Sequence, residues 1–314
     1  MSSATVLKAS TPADLVASLP YLFGFPPRDS IIALAFSGKR LVASGRVDAA
    51  AVDDPDQLRH CLEAVAQHGD LVIIVAWIDP LTAAERAASL AAAALGGVHQ
   101  TIIVSGERCR VDRGPWMNCL ASHPVAEAAG LEVLPDRAAV GAQVAGPETD
   151  KLAGRRWSKA RNSLALQSHW WCEDRFDTLL ALGLEAPDSL SAANRIELAA
   201  LAHSGLIRER VWDHFTADKA DQHLALWQAV VAVVAPQGAP APLGLLAFAA
   251  WLAGKGALAT CCVERGLGIA PDHSLLLLFN TINLAGLPPT AWDDMRQTLM
   301  AQRDRCQQLA ANMD

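Results

Sequence analysis

Residues 222–254 contain no Asp, Glu, Lys or Arg. So long an uncharged stretch has to be buried, either inside protein or in a membrane. Its two apolar pieces, 224–235 and 243–253, are separated by Pro236, Gln237, Gly238, Ala239, Pro240, Ala241 and Pro242, and each is shorter than the ~20 residues that span a bilayer as a helix. The stretch predicts two buried helices joined by a proline-rich turn, and no membrane role. Helices of this kind need a core around them. A chain of 314 residues has room for about two domains at ~150 residues each, and 52% hydrophobic residues against 19% charged can offset the entropy of ordering.

The first half alternates between two kinds of periodicity. Thr11, Pro12 and Asp14 form a helix start, with Thr11 as cap, Pro12 at a position that needs no N–H, and Asp14 reaching back to the cap. Leu15, Leu19 and Leu22 make one apolar face, and Gly24 with Pro26 and Pro27 ends the helix. Residues 31–36 and 41–47, around the turn Ser37-Gly38-Lys39-Arg40, predict a β-hairpin. A helix over 55–68 leads to the almost continuously apolar run 71–78, the pattern of a strand covered on both faces. A helix over 82–95, closed by Gly96 and Gly97, leads to a strand over 100–105, and 109–112 adds a short hairpin partner. This order predicts an α/β domain with a mostly parallel sheet, flanking helices and a β-hairpin, over about 1–148. Beyond Pro147 only helical spacing recurs, so 149–314 is expected to be an all-α domain.

Charge and cysteines narrow the function classes. A formal net charge of −7 argues against non-specific coating of nucleic acid or anionic lipid, which needs a basic footprint. The first ten residues lack the apolar core of a secretory signal, so the chain is expected to stay in the cytoplasm. The cysteines, Cys61, Cys109, Cys119, Cys172, Cys261, Cys262 and Cys306, are odd in number and widely spread, unlike a secreted disulfide framework. No C-x-x-C pair occurs, and the spacing of His169 and Cys172 lacks a second ligand pair, so no metal or cofactor is expected. Glycine-rich phosphate loops, the G-x-S-x-G elbow and H-E-x-x-H are also missing.

Two constellations remain as candidate sites. In open α/β sheets ligands sit beyond the carboxyl ends of strands, where Asp29, Arg46, Asp48 and Asp79 fall, with Ser105 and Glu107 close by. Carboxylates with one Arg there suit a cation or a phosphorylated ligand. The competing reading is a local ion pair of Arg46 with Asp48 or Asp29. The second set is Arg155, Arg156, Lys159 and Arg161, with Lys151, around Trp157. Basic residues with an interleaved aromatic suit a nucleic-acid backbone and a stacked base, while helical spacing alternatively makes them a solvated face over a buried Trp. A faint helix-turn-helix pattern over 194–215 would put Arg208 and Arg210 on a recognition helix.

Three segments carry a family resemblance. Thr11-Pro12-Ala13-Asp14-Leu15 with Pro20-Tyr21-Leu22-Phe23-Gly24-Phe25-Pro26 and Gly45-Arg46-Val47-Asp48, then the run from Leu245 to Ala259, then Gly286-Leu287-Pro288-Pro289-Thr290-Ala291-Trp292, resemble the signatures of the domain-of-unknown-function 4192 family. The resemblance implies an actinobacterial cytoplasmic protein. It also implies a cysteine-rich insertion after Trp116, which this chain lacks, as Trp116-Met117-Asn118-Cys119 runs almost directly to Ser122-His123-Pro124.

With no catalytic constellation and nine Trp, seven of them in the helical half, the expectation is a binding or protein-interaction module with an unidentified protein partner. An enzyme with its cleft at the strand ends is the alternative, and nucleic-acid binding the third reading. A Trp left exposed would mark the interaction surface.

Overall fold

The computed structural model describes residues 7–96, 100–119, 122–147 and 151–311, apart from the side chains of 302–304 and 306–311. The expected boundary at 148/149, Gly97 and the Cys306 side chain lie outside the described residues. The chain forms two compact units, Met1–Val140 with Thr281–Pro288, and Gly141–Asn280 with Pro289–Asp314.

The first unit opens with helix α1 (Pro12–Phe23), followed by β1 (Ser30–Ser37), β2 (Arg40–Asp48), α2 (Pro55–Ala66), β3 (Leu71–Trp77), α3 (Leu81–Leu95), β4 (Gln100–Ser105), β5 (Arg108–Val111), β6 (Met117–Asn118) and the short helices α4 (Pro124–Ala128) and α5 (Arg137–Ala142). The α1 start is a capping box: Asp14 N donates to Thr11 Oγ1 at 3.1 Å, and Thr11 N donates to Asp14 Oδ2 at 2.9 Å. Gly24, at φ 80°, ends the helix in the left-handed region that favours glycine.

The six strands run in the order β2-β1-β3-β4-β5-β6. The expected mostly parallel sheet is corrected here: only β3 and β4 pair in parallel, and the other four pairings are antiparallel. Both crossover helices do join strands of the same direction. The hairpin strand β1, however, inserts between β2 and β3, a split βαβ arrangement, and its two pairings are antiparallel. Side-chain alternation then sorts the strands onto two faces. Ile32, Leu34, Val75, Ile102 and Val104 pack against Val16 and Leu19 of α1. Ile31, Ala33, Ile74, Ala76 and Ile103 pack against Leu58, Leu62 and Val65 of α2 and Ala84, Ala87, Ala88 and Ala91 of α3. Double coverage explains why β3 is apolar at every position. The segment Thr281–Pro288 belongs here because Gln67 Nε2 donates to Ala285 O at 3.2 Å, and Gly286 sits so close to α2 that a Cβ would lie 2.4 Å from Ala64 O.

The second unit is helical: α6 (Lys151–Leu164), α7 (His169–Glu185), α8 (Ala192–Ala202), α9 (Gly205–Arg208), α10 (Ala220–Val231), α11 (Pro240–Leu252), α12 (Gly256–Ile269), α13 (Ser274–Leu284) and α14 (Trp292–Ala311). The uncharged stretch becomes α10 and α11, and every residue of α11 is buried. Helix α11 packs against both α10 and α12. The proline-rich connection is shorter than expected, a single 3-10 turn at Pro236–Gly238, because Pro240 and Pro242 enter the first turn of α11, where no backbone N–H has a helical partner to lose. Among the described residues no helix is long and apolar enough to cross a membrane.

Candidate interaction site

Strand register brings the first candidate set to one end of the sheet, with Asp48 opposite Ser30, Ser30 opposite Trp77, and Trp77 beside Val104. Within that end the residues pair off locally. Arg46 donates through Nε to Ser30 Oγ at 2.7 Å and through Nη2 to Asp48 Oδ1 at 2.5 Å, and its guanidinium lies 5.5 Å from the Phe25 ring centroid. Ser30, wholly buried, uses its own hydroxyl proton on Arg28 O at 2.8 Å. Asp79 instead accepts from Ser105 Oγ at 2.7 Å. Strand β1 separates the two pairs, which at a strand spacing of ~4.8 Å puts the ends of β2 and β3 about 10 Å apart. Asp29 is exposed, with φ 49°, and its carbonyl accepts from Ala49 N at 2.8 Å. Glu107 is also exposed, and its carbonyl accepts from Cys119 N at 2.8 Å. Nothing local in the sequence connects Ser30 or Phe25 to Arg46. Asp48→Asn and Asp79→Asn are therefore expected to cost no more than about 1 kcal/mol each and to add within about 0.5 kcal/mol in the double variant. Urea unfolding of the four proteins checks this, and a larger coupling would mean that the carboxylates share one site.

The basic segment forms α6. Arg155, Arg156, Lys159 and Arg161 are all exposed, but Trp157 is buried, with its ring so tight against Gly238 that a Cβ there would lie 2.6 Å away. No base can stack on that indole. The recognition-helix pattern also breaks up: α9 is a single turn, a 3-10 turn Glu209–Asp213 follows it, and Arg210 is held in ion pairs.

Thiol chemistry is subdued. Cys109 and Cys119 share a hydrogen bond on the α1 face of the sheet, and burial, then the neighbouring Cys109, pushes the Cys119 thiol up to about 12. Among the described residues no group of three His, Cys, Asp or Glu is placed to hold a metal ion.

The exposure of the Trp side chains singles out a different surface. Trp157, Trp227, Trp251 and Trp292 are buried, and Trp77, Trp116, Trp171 and Trp212 are partly covered. Trp170 is 72% exposed. It follows His169 in the first turn of α7, whose start is capped by Ser168 Oγ accepting from Trp171 N at 3.2 Å. His169, Glu173 and Asp177 recur every four residues along one face of α7. They form one wall of a groove of about 460 Å³, and Leu206, Glu209, Arg210, Asp213 and His214 form the other. Arg210 ties the walls together, donating from Nη1 to Glu173 Oε1 at 3.3 Å, from Nε to Asp177 Oδ1 at 2.9 Å, and from Nη2 to Asp177 Oδ2. His169 Nε2 lies 3.6 Å from Glu173 Oε1. Four carboxylates thus line the groove with one guanidinium, which is bonded to two of them, and Leu206, on the groove wall, is 69% exposed. Two acid pairs spaced by four, Glu173 with Asp177 and Glu209 with Asp213, were the available sequence signal, since like charges at that spacing repel unless a cation joins them.

The chain is thus a two-unit protein, a split βαβ sheet unit and a helical unit carrying an acid-lined groove. A family model described as Domain of unknown function (DUF4192) matches residues 12–290, and the chain belongs to that family. Comparison with curated proteins and with solved structures returns no match.

Proposed function

We propose that this chain is a protein-binding module whose helical unit holds a Lys/Arg-rich segment of a partner protein in the groove between α7 and residues 206–214. The observation that carries the reading is an exposed Leu206 on the wall of a groove where carboxylates outnumber cations, with the exposed Trp170 next in sequence to the groove's His169. Large apolar side chains beside unbalanced charge are the composition of an interface before its partner arrives. A bare indole exposes ~200 Å² and Trp170 is 72% exposed, so at ~25 cal/mol per Å² covering it gains at most about 3.6 kcal/mol before the costs of association. The carboxylates would select basic partners and speed their encounter more than they add to affinity. A cytoplasmic setting and an actinobacterial source go with this reading, on the strength of the family resemblance.

Fluorescence anisotropy with labelled Lys/Arg-rich, neutral and Asp/Glu-rich peptides, each with one Leu or Phe anchor, tests the proposal. Basic peptides are expected to bind best and to weaken as salt rises. Trp170→Ala and Leu206→Ser, both at exposed positions, are expected to cost at least tenfold in affinity, about 1.4 kcal/mol, with thermal stability unchanged. Equal binding of acidic and basic peptides, or variants that bind as the parent does, would rule the groove out.

A further inference from the structure

A second feature of the helical unit adjoins the groove, whose Glu209 acts on its Arg208, and is opposite in sign. His203, at the end of α8, donates from Nε2 to Gly238 O at 3.1 Å, which leaves Nδ1 of the neutral ring as an acceptor. Its ring lies 5.1 Å from Trp157 and 6.4 Å from His273, which stands just before α13. Arg208 reaches back to the same place, donating from Nη1 to the carbonyl of Ala202, the residue before His203, at 3.2 Å. That carbonyl uses one of five guanidinium N–H groups. Among the described residues no carboxylate bonds to Arg208, although burial alone pushes its pKa down. Arg161 lies one turn beyond Trp157 on α6, on the same helix face, and its charge acts on His203. His273 Nδ1 is buried with no hydrogen-bond partner among the described residues.

Two imidazoles and the Arg208 guanidinium therefore come together from three separate segments, with the charge of Arg161 acting from a fourth, and among the described residues no carboxylate is hydrogen-bonded to any of them. A half-buried cation without a counter-charge is costly, and an anion seated among such groups removes the cost. Trp157 is walled off by Gly238, so the cluster offers no ring for a base or sugar to stack on; what it recognises is the charge and the oxygen fork of a small oxyanion.

We propose that Arg161, His203, Arg208 and His273 form an oxyanion site that takes inorganic phosphate or the phosphoryl group of a small phosphomonoester. Occupancy is coupled to protonation. Burial first, then the charges of Arg208 and His203, hold His273 down to about 4, with Asp272 acting the other way; burial, then Arg161 and Arg208, lower His203. Glu209 is the carboxylate that acts on Arg208. A bound dianion would act against these effects at both rings, so each imidazole takes up a proton more readily when phosphate is present.

Side-chain nitrogen NMR of His203 and His273 in the full chain, titrated with pH in phosphate and in chloride at equal ionic strength, reads this directly. Both rings are expected to titrate at higher pH in phosphate, and calorimetry at pH 8, where phosphate is mostly the dianion, reads the affinity. Arg208→Gln is expected to lose at least tenfold in phosphate affinity, and Arg161→Gln, at an exposed position that does not endanger folding, to weaken it by a smaller factor. Titration curves that coincide in phosphate and chloride, or phosphate binding unchanged in Arg161→Gln, would overturn the site. So would shifts that appear with a single-stranded oligonucleotide and not with phosphate. Failure of the basic-peptide experiment at Trp170 leaves each of these readouts intact.

Discussion

Phe248→Ala is expected to destabilise the helical unit by about 3–5 kcal/mol, the cost of truncating a buried Phe and leaving its cavity. Phe248, 1% exposed in the middle of α11, stands among Trp212 at 5.0 Å, Phe215 at 4.6 Å, Trp251 at 5.5 Å, Phe279 at 5.0 Å and Trp292 at 4.6 Å between ring centroids. Several of these contacts are edge-to-face, and such pairs add about 0.5–1.5 kcal/mol each beyond their buried area. The cluster is also fixed from outside, because Trp292 Nε1 donates to Phe215 O at 2.9 Å. A loss this large is a good part of the stability of most domains. Phe248→Leu, which keeps most of the volume, is expected to cost less than about 1.5 kcal/mol and covers the case in which the Ala variant does not fold. Urea unfolding followed by Trp fluorescence reports mainly on this unit, where most of the Trp lie. Unchanged midpoints in both variants would show that the aromatic cluster does not organise the core.

A second large effect is expected from acid. His223 is fully buried, stacks on Phe215 at 3.9 Å between centroids, and donates from Nε2 to His214 O at 3.1 Å. Burial, only partly opposed by that hydrogen bond, holds its pKa down to about 4 against an ordinary 6.5. The unfolded chain therefore binds the proton more tightly than the folded one. Stability is complete above pH 6.5 and is lost as pH falls from 6.5 towards 4, by about 2 kcal/mol at pH 5 from His223 alone. His273 is depressed to a similar value and pulls in the same direction. His223→Gln keeps a donor for His214 O but cannot titrate. Its unfolding free energy is expected to fall less between pH 7.5 and pH 5 than that of the parent. Parallel pH profiles for the two proteins would contradict a neutral, buried His223.

What could be read from the sequence was local. The capping box at Thr11 and Asp14, the two-faced burial of β3 and the pair of buried helices in the uncharged stretch each follow from a few neighbouring side chains. Sheet order did not, because the insertion of β1 between β2 and β3 depends on long-range pairing, and a βαβ crossover leaves the same pattern whether its strands are adjacent or split. The short elements β6, α4 and α5 bury too few residues to leave a period. At the candidate sites the difficulty was the same. Asp48 and Asp79 do share one end of the sheet, but Arg46 and Ser105 claim them separately, and Ser105 lies far from Asp79 in sequence. The groove joins α7 to a turn more than 30 residues later through Arg210 and Asp177. Trp170 and Trp171 are adjacent and alike, and only the packing of α7 decides that the first of them faces solvent.

The central claim, that the groove beside Trp170 is where this protein meets a partner, is tested most directly by placing a photo-cross-linking amino acid at position 170 and, as a control, at the exposed Leu131 of the sheet unit. Cross-linking in cells of the native source is expected to yield a discrete adduct from position 170, mapped by mass spectrometry to a Lys/Arg-rich segment and suppressed by an excess of the best basic peptide. Equal adducts from both positions, or adducts on segments without basic residues, would contradict it.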